Sequence, residues 1–165
     1  MKLIFASDIH GSAYYCEKLL ERYRAEAAQK LILLGDILYH GPRNALPRGY
    51  DPAKVAQMLN EVRDEILCVR GNCDSEVDQM VLDFPILADY AVLPVGRRLV
   101  YATHGHVYNQ DHIPPMQNGD VLVHGHTHLL KAEKTQASDG ERTVEITVLN
   151  LSLIHISEPT RPLYI

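Results

Sequence analysis

The sequence has little of what marks secreted, membrane-spanning or nucleic-acid-binding proteins. Its 165 residues include only three cysteines, Cys16, Cys68 and Cys73, without CxxC spacing. This sparse, odd set indicates reduced thiols rather than a disulfide framework. No cluster of lysine and arginine is present and the formal net charge is −5, which disfavours binding to a nucleic-acid backbone. Apolar runs such as 31–34 are far too short to span a bilayer, and the N-terminus has no signal-peptide pattern. We therefore expect a cytoplasmic protein that does not bind membranes.

The first half of the chain alternates between short apolar runs and helical patterns. The runs 2–6, 31–34 and 66–69 predict buried strands. Apolar residues at helical spacing predict two helices between them, one from a Ser12 cap to about residue 28 and one over 53–64. Strands that alternate with helices are typical of a parallel sheet.

The second half contains strand patterns with little helix between them. The segments 91–95, 99–103, 121–123 and 143–149 predict strands, and Gly96-Arg97 predicts a tight turn that joins the first two into a hairpin. Two sheets packed face to face with helices outside would bury these apolar faces. The sequence therefore predicts an α/β fold in one domain.

Polar residues follow each predicted strand where it ends. The segments are SDIHG at 7–11, GD at 35–36, GNCD at 71–74, THGH at 103–106 and HGHTH at 124–128. Loops at the carboxyl ends of strands converge on one crevice, so these side chains are expected to lie together. Seven of them are potential metal ligands, namely Asp8, His10, Asp36, Asn72, His104, His126 and His128.

These seven side chains offer too many donors for one tetrahedral metal, and they suit two divalent ions with one bridging carboxylate. Oxygen and imidazole ligands without thiolate suit Mn²⁺, Fe, Zn²⁺ or Ni²⁺. Such a pair of ions can bind a phosphoryl oxygen and hold a deprotonated water at neutral pH. Metal-assisted hydrolysis of a phosphoester is a reaction that would use all of these residues.

The motifs DIH, GD, GNCD, THGH and GHTH occur in an order that resembles the calcineurin-like metallophosphoesterases. The family pattern is D-x-H, GD, GNH-[DE], H and GHxH, and the resemblance covers residues 1–128. The stretches 40–50 and 70–80 are further similar to the small bacterial phosphodiesterases of that family. The resemblance implies a four-layer αββα metallophosphoesterase sandwich.

The resemblance also implies roles for individual residues. The first metal would take Asp8, His10 and His128, and Asp36 would bridge to the second. The second metal would take Asn72, His104 and His126. Both ions would be divalent, with Mn²⁺ favoured, and a metal-bridging hydroxide would attack phosphorus in line. We predict that His106 binds substrate, and we predict the same of Arg43 in the proline-rich loop. A solvated charge on the loop is the simpler interpretation of Arg43.

The sequence departs from the family at Cys73. Many relatives have histidine there, and the resemblance makes it the general acid for the leaving group, held by the next residue, here Asp74. We therefore take Cys73 and Asp74 as catalytic candidates. A thiol is a weak substitute for that acid, which favours leaving groups that depart unaided, such as those of aryl phosphodiesters. The alternative is that Cys73 is only a small apolar residue.

Alternatives to the phosphodiesterase function also follow from the sequence. The fold occurs as a catalytically silent protein-interaction scaffold, and a phosphomonoesterase or a nuclease would use similar metals. We expect a small phosphodiester as the partner and no nucleic acid, and we leave a homo-oligomer open.

The last residues do not fit the family pattern. The run SLIHISEPTR within 151–165 resembles translated adaptor DNA, and a divergent final strand is the alternative. We therefore expect a metallophosphoesterase domain over 1–150 that lacks its last strands, followed by a non-native tail.

Overall fold

The first sheet consists of three parallel strands flanked by helices. The computed structural model describes residues 2–42 and 44–151. Its first sheet contains β1 (Leu3–Ala6), β2 (Lys30–Leu33) and β3 (Ile66–Cys68) in that order. Two helices, α1 (Ala13–Ala25) and α2 (Pro52–Asn60), connect them. The predicted parallel sheet is therefore confirmed.

The helix starts follow the capping pattern of the sequence, whereas the helix ends differ from the prediction. The Ser12 side chain accepts a hydrogen bond from the Tyr15 N–H, as an N-cap does. Helix α1 stops before residue 28 because Ala27 has a left-handed backbone, with φ of 48°. Helix α2 stops at Asn60, and the remainder of the predicted helix forms a 3₁₀ turn at Arg63–Glu65.

Within the described part of the chain, the second sheet has five strands. They are β4 (Tyr90–Val95), β5 (Arg98–Thr103), β6 (Val121–His124), β7 (Lys131–Ser138) and β8 (Thr143–Asn150), in the order β4-β5-β6-β8-β7. The predicted β4–β5 hairpin is confirmed. Strand β7 was not predicted because Ala137 is its one buried residue, and its lysines and glutamate are typical of a sheet edge. A short helix, α3 (Glu76–Gln79), was also not predicted.

The core lies on both faces of both sheets. Ile32 of β2, with Leu34 and Val69 just after β2 and β3, packs against Val100 and Val123 of the second sheet. The other face of the first sheet packs against the two long helices. The outer face of the second sheet packs against Ile113 and Met116, which belong to the segment between β5 and β6. The predicted α/β sandwich is confirmed.

The register of the first sheet brings three chain segments to one level. Ala6 pairs with Leu33, and Leu33 pairs with Cys68, so the chain leaves all three strands at the same edge. In the second sheet β5 and β6 are also parallel, with Ala102 opposite Val123. Each polar motif therefore begins where one of these five strands ends.

Two further predictions bear on the rest of the chain. None of the helices within 2–42 and 44–151 is long and apolar enough to cross a membrane. Apart from residue 151, the unusual tail lies outside the described residues. The expectation that the last strands are missing stays a prediction.

Candidate metal centre

The loops that carry the predicted ligands have an unusual backbone. Six described non-glycine residues have positive φ, and five of them are predicted ligands. Each such position costs on the order of 1–3 kcal/mol, which the surrounding structure must offset. Strain of this kind concentrates at functional sites, so it supports a site here independently of the motifs. The five are Asp8, His10, Asp36, His126 and His128, with φ between 49° and 67°.

Two glycines allow these loops to approach one another. A Cβ added to Gly71 would lie 2.1 Å from Asp36 Oδ1, and one added to Gly125 would lie 1.9 Å from Ser7 Oγ and 2.7 Å from Asp8 Oδ2. No side chain fits at either position. The glycines of the GNCD and HGHTH motifs are therefore required by the close approach of the two loops to the carboxylates.

Two buried carboxylates form the centre of the site. His10 Nε2 lies 3.7 Å from Asp8 Oδ1 and 3.6 Å from Asp36 Oδ2. His128 Nε2 lies 3.5 Å from Asp8 Oδ1, and His104 Nε2 lies 3.5 Å from Asp36 Oδ2. These distances are too long for good hydrogen bonds. Two ligand atoms bound at about 2.1 Å to one tetrahedral ion lie roughly 3.4 Å apart, so the spacing matches shared ions.

Backbone carbonyls orient two of the imidazoles. His10 Nδ1 lies 2.6 Å from Tyr39 O, and His104 Nδ1 lies 2.8 Å from Leu34 O. A carbonyl only accepts, so each Nδ1 carries a proton, and in the neutral ring Nε2 then directs a lone pair at the carboxylates. His10 Nε2 and Asp8 Oδ1 are buried without a hydrogen-bond partner among the described residues. Such acceptor atoms facing one another fit bound cations.

Three compact groups of ligand atoms occur in the described part of the chain, each with its atoms within 4.8 Å of one another. The first is Asp8, His10 and His128, which agrees with the predicted first metal. The second is Asp8, Asp36 and His104, in which Asp36 lies beside a residue predicted for the second metal. The third is His10, Asp36 and Cys73, which the sequence did not predict.

Asn72 and His126 complete the predicted second set. Asn72 Oδ1 lies 3.0 Å from His104 Nε2, and since that nitrogen has a lone pair, two acceptors face each other there. The ring centroid of His126 lies 5.0 Å from that of His104, and its backbone N–H donates to Asp8 Oδ2 at 3.1 Å. His126 belongs to none of the compact groups among the described residues.

The charges favour the metal-binding forms of Asp8 and His126, whereas they favour the protonated form of His128. Burial acts to raise the pKa of Asp8, but the contact with His128 and the nearby His104 outweigh it and lower that pKa overall. Burial and the proximity of His104 lower the pKa of His126. The contact with Asp8 raises the pKa of His128. A carboxylate and a neutral imidazole are the forms that bind metals.

Cys73 lies beside Asp36, the predicted bridging carboxylate. The Cys73 backbone N–H donates to Asp36 Oδ1 at 2.8 Å, and Asn72 Nδ2 donates to the Cys73 sulfur at 3.2 Å. Burial and the charge of Asp36 raise the pKa of the thiol to about 12. Such a thiol holds its proton tightly, so Cys73 is a poor proton donor.

Asp74 joins two of the ligand-bearing loops. Its carboxylate is 3% exposed and accepts backbone N–H bonds from Asp36 at 2.8 Å, Ile37 at 2.9 Å and Gly71 at 2.7 Å. This arrangement suits a residue that positions Asp36, whereas the sequence predicted a partner of the leaving-group acid. The catalytic role of Asp74 stays a prediction.

The two predicted substrate-binding residues differ in what the structure describes. His106 is exposed, and its ring centroid lies 5.3 Å from that of His104 and 6.2 Å from that of His126. It is therefore at the rim of the centre. Arg43 lies outside the described residues.

The carbonyls of Leu34 and Tyr39 had no signal in the sequence, because every residue has a carbonyl and only folding selects these two.

Comparison with known proteins agrees with this geometry. The calcineurin-like phosphoesterase superfamily domain matches residues 1–158. The chain belongs to the calcineurin-like phosphoesterase superfamily, and it is a hydrolase of that fold. Over 134 residues it is 54% identical to phosphodiesterase YfcE of Escherichia coli strain K12, which covers 81% of this chain and 73% of that protein.

Solved structures support the same family and fold. YfcE, a phosphoesterase from E. coli, superposes with a TM-score of 0.88 at 47% identity, covering 99% of this chain and 86% of that one. An archaeal phosphodiesterase superposes with a TM-score of 0.59 at 20% identity, covering 92% of this chain and 84% of that one. The latter likeness shows the fold alone. The family predicted from the motifs is confirmed.

Proposed function

We propose that this chain is a dinuclear metal-dependent phosphodiesterase that acts on a small phosphodiester. The observation that carries the proposal is the pair of buried carboxylates, each approached by imidazole nitrogens at 3.5–3.7 Å. The 54% identity to a protein named as a phosphodiesterase supports the choice of a diester.

Two divalent ions would supply Lewis acidity towards the phosphoryl oxygens and a lowered pKa for bound water. Asp8, His10 and His128 would hold one ion, and Asn72, His104 and His126 would hold the other. Asp36 lies between His10 and His104, at 3.6 and 3.5 Å, which suits a bridging carboxylate. The oxygen and nitrogen donors of these residues favour Mn²⁺, with Zn²⁺, Fe and Ni²⁺ as the other ions that such donors bind.

Other residues of the chain would act on the substrate. His106 at the rim would donate a hydrogen bond to a phosphate oxygen, and Arg43 is proposed for the same task from its place in the sequence. A cytoplasmic location and a homo-oligomer stay predictions.

The Cys73 thiol would restrict the leaving group. Because its pKa is raised to about 12, it would give little protonation to a departing alkoxide, and aryl phosphodiesters would be favoured. We expect Cys73→His to increase turnover of diesters with alkyl leaving groups relative to aryl ones. The ratio of the two rates, measured with both enzymes, is the readout. An unchanged ratio would show that Cys73 does not limit the leaving group.

The function is tested by hydrolysis of a bis-aryl phosphodiester by metal-stripped protein titrated with Mn²⁺. We expect metal-dependent turnover that falls by about 100-fold or more in Asp36→Asn, since even residues that only support ligands cost 10–100-fold. The exposed Asp64→Asn is the matched control and should retain turnover. Comparison with a monoester of the same leaving group separates a diesterase from a monoesterase. A folded, metal-loaded and inert protein would instead favour the interaction scaffold.

A further inference from the structure

The third compact group of ligand atoms shares His10 and Asp36 with the predicted metal positions and adds Cys73, which neither position uses. His10, Asp36 and Cys73 each direct one ligand atom into it, all within 4.8 Å. The backbone of Cys73 is fixed there by its hydrogen bond to Asp36 Oδ1. On the other side lies Gly41, where an added Cβ would be 3.5 Å from the sulfur. The thiol is therefore packed against the bridging position.

His10 supplies a second indication that a ligand can bind in this group, through the same atom that is predicted to bind the first metal. Its ring is 1% exposed, and its Nε2 has no hydrogen-bond partner within 2–42 and 44–151. The bond from Nδ1 to the Tyr39 carbonyl leaves Nε2 with one lone pair. One lone pair binds one ion. If His10 Nε2 binds an ion together with Cys73, it is therefore not available to the first catalytic metal.

We propose that Cys73, His10 and Asp36 form a site for thiophilic divalent ions such as Cd²⁺, and that its occupation is incompatible with the first catalytic metal position. One sulfur, one nitrogen and one oxygen ligand with an open position suit a tetrahedral thiophilic ion. Binding replaces the S–H bond with a sulfur–metal bond and releases the proton to solvent. Mn²⁺ prefers oxygen ligands and gains little from the sulfur, so the thiol discriminates between the two classes of ion. The inhibitory part of this inference rests on the proposed function, whereas the binding part does not.

The test is a titration of the metal-stripped full chain with Cd²⁺. The readout is the ultraviolet charge-transfer absorption of a cadmium–thiolate bond, measured at each addition. We expect the band in the wild type and in the matched control Cys16→Ala, whose sulfur lies in the core. In Cys73→Ser and Cys73→Ala the band should be absent, and the affinity for Cd²⁺ should fall by about tenfold or more. Mn²⁺ affinity, measured by electron paramagnetic resonance, should change much less. In Mn²⁺-loaded protein, Cd²⁺ should lower turnover by a larger factor in the wild type than in either Cys73 variant.

Each outcome decides the inference. Cadmium that binds without the thiolate band, or with equal affinity in the Cys73 variants, overturns it. Failure of the wild type to bind Cd²⁺ also overturns it. Mn²⁺-dependent hydrolysis without the thiolate band removes this inference and leaves the proposed function intact. A thiolate band in a protein that lacks Mn²⁺-dependent hydrolysis supports the site and removes the proposed function.

Discussion

The Asp74 carboxylate connects the loop of Asp36 to the loop of Gly71, and its replacement by asparagine should weaken the whole centre. Three buried backbone N–H groups donate to it at 2.7–2.9 Å. Oδ2 accepts two of them, from Asp36 and Gly71, and Oδ1 accepts the third, from Ile37. In Asp74→Asn the amide oxygen can replace only one of these oxygens, and the amide nitrogen then faces an N–H group.

The magnitude follows from this geometry. If the amide oxygen takes the Oδ2 position, the Ile37 N–H loses a charge-assisted bond, which costs about 1.5–3 kcal/mol. The two remaining bonds become neutral ones, each weaker by about 0.5–1 kcal/mol. The free energy of unfolding should therefore fall by about 2.5–5 kcal/mol, a large part of the total stability of a domain. Because Asp36 is held by the same bonds, the affinity for Mn²⁺ should fall as well.

The assay is urea denaturation of the metal-stripped protein, together with a Mn²⁺ titration. For a slope of about 2 kcal/mol/M, the midpoint should shift down by about 1.2–2.5 M. Asp83→Asn, a change at an exposed carboxylate, is the control and should shift it little. If Asp74→Asn keeps the wild-type midpoint and metal affinity while turnover falls, Asp74 acts in the chemical step and the positioning role is wrong.

Two further predictions concern loop packing and pH. Gly71→Ala should lower stability by about 3 kcal/mol and also weaken Mn²⁺ binding, because its Cβ would overlap Asp36. The control is Gly140→Ala, where φ is positive but the space around the residue is open. It should lower stability by about 1 kcal/mol and leave Mn²⁺ affinity unchanged. Equal effects of the two changes would contradict the packing role of Gly71. Tyr23 donates a hydrogen bond to Glu65, and burial with this contact raises the pKa of the phenol to about 12. The contribution of this contact to the free energy of unfolding is thus fully present below pH 10 and is lost as pH rises towards 12. In urea titrations, the difference in stability between wild type and Tyr23→Phe should therefore shrink over that range. A difference that stays constant would refute the assignment.

The sequence predicted the strands best where their apolar character was continuous. Strands β1, β2 and β6 are buried on both faces, so their short apolar runs were visible without any structure. Strand β7 was missed because an edge strand buries little and its residues are mostly polar. Helix α3 was missed because it is short and has no buried residue.

The proximity of the candidate ligands was predictable because they follow buried strands in order. Parallel strands end at one edge of a sheet, so motifs that follow Ala6, Leu33 and Cys68 must meet there once the strands pair in register. The residue types then limited the chemistry to oxygen and imidazole ligands of divalent metals.

The sequence by itself thus determined the family and the parallel sheet, and it selected the residues of the candidate metal centre, because apolar periodicity and motif order depend on local pattern alone. Only the tertiary structure decided which contacts those residues make. The carbonyls of Leu34 and Tyr39 orient two imidazoles, and Asp74 binds backbone groups 37 and 38 residues away. Cys73 approaches His10 and Asp36 for the same reason, since contacts between distant segments arise from strand register and sheet packing.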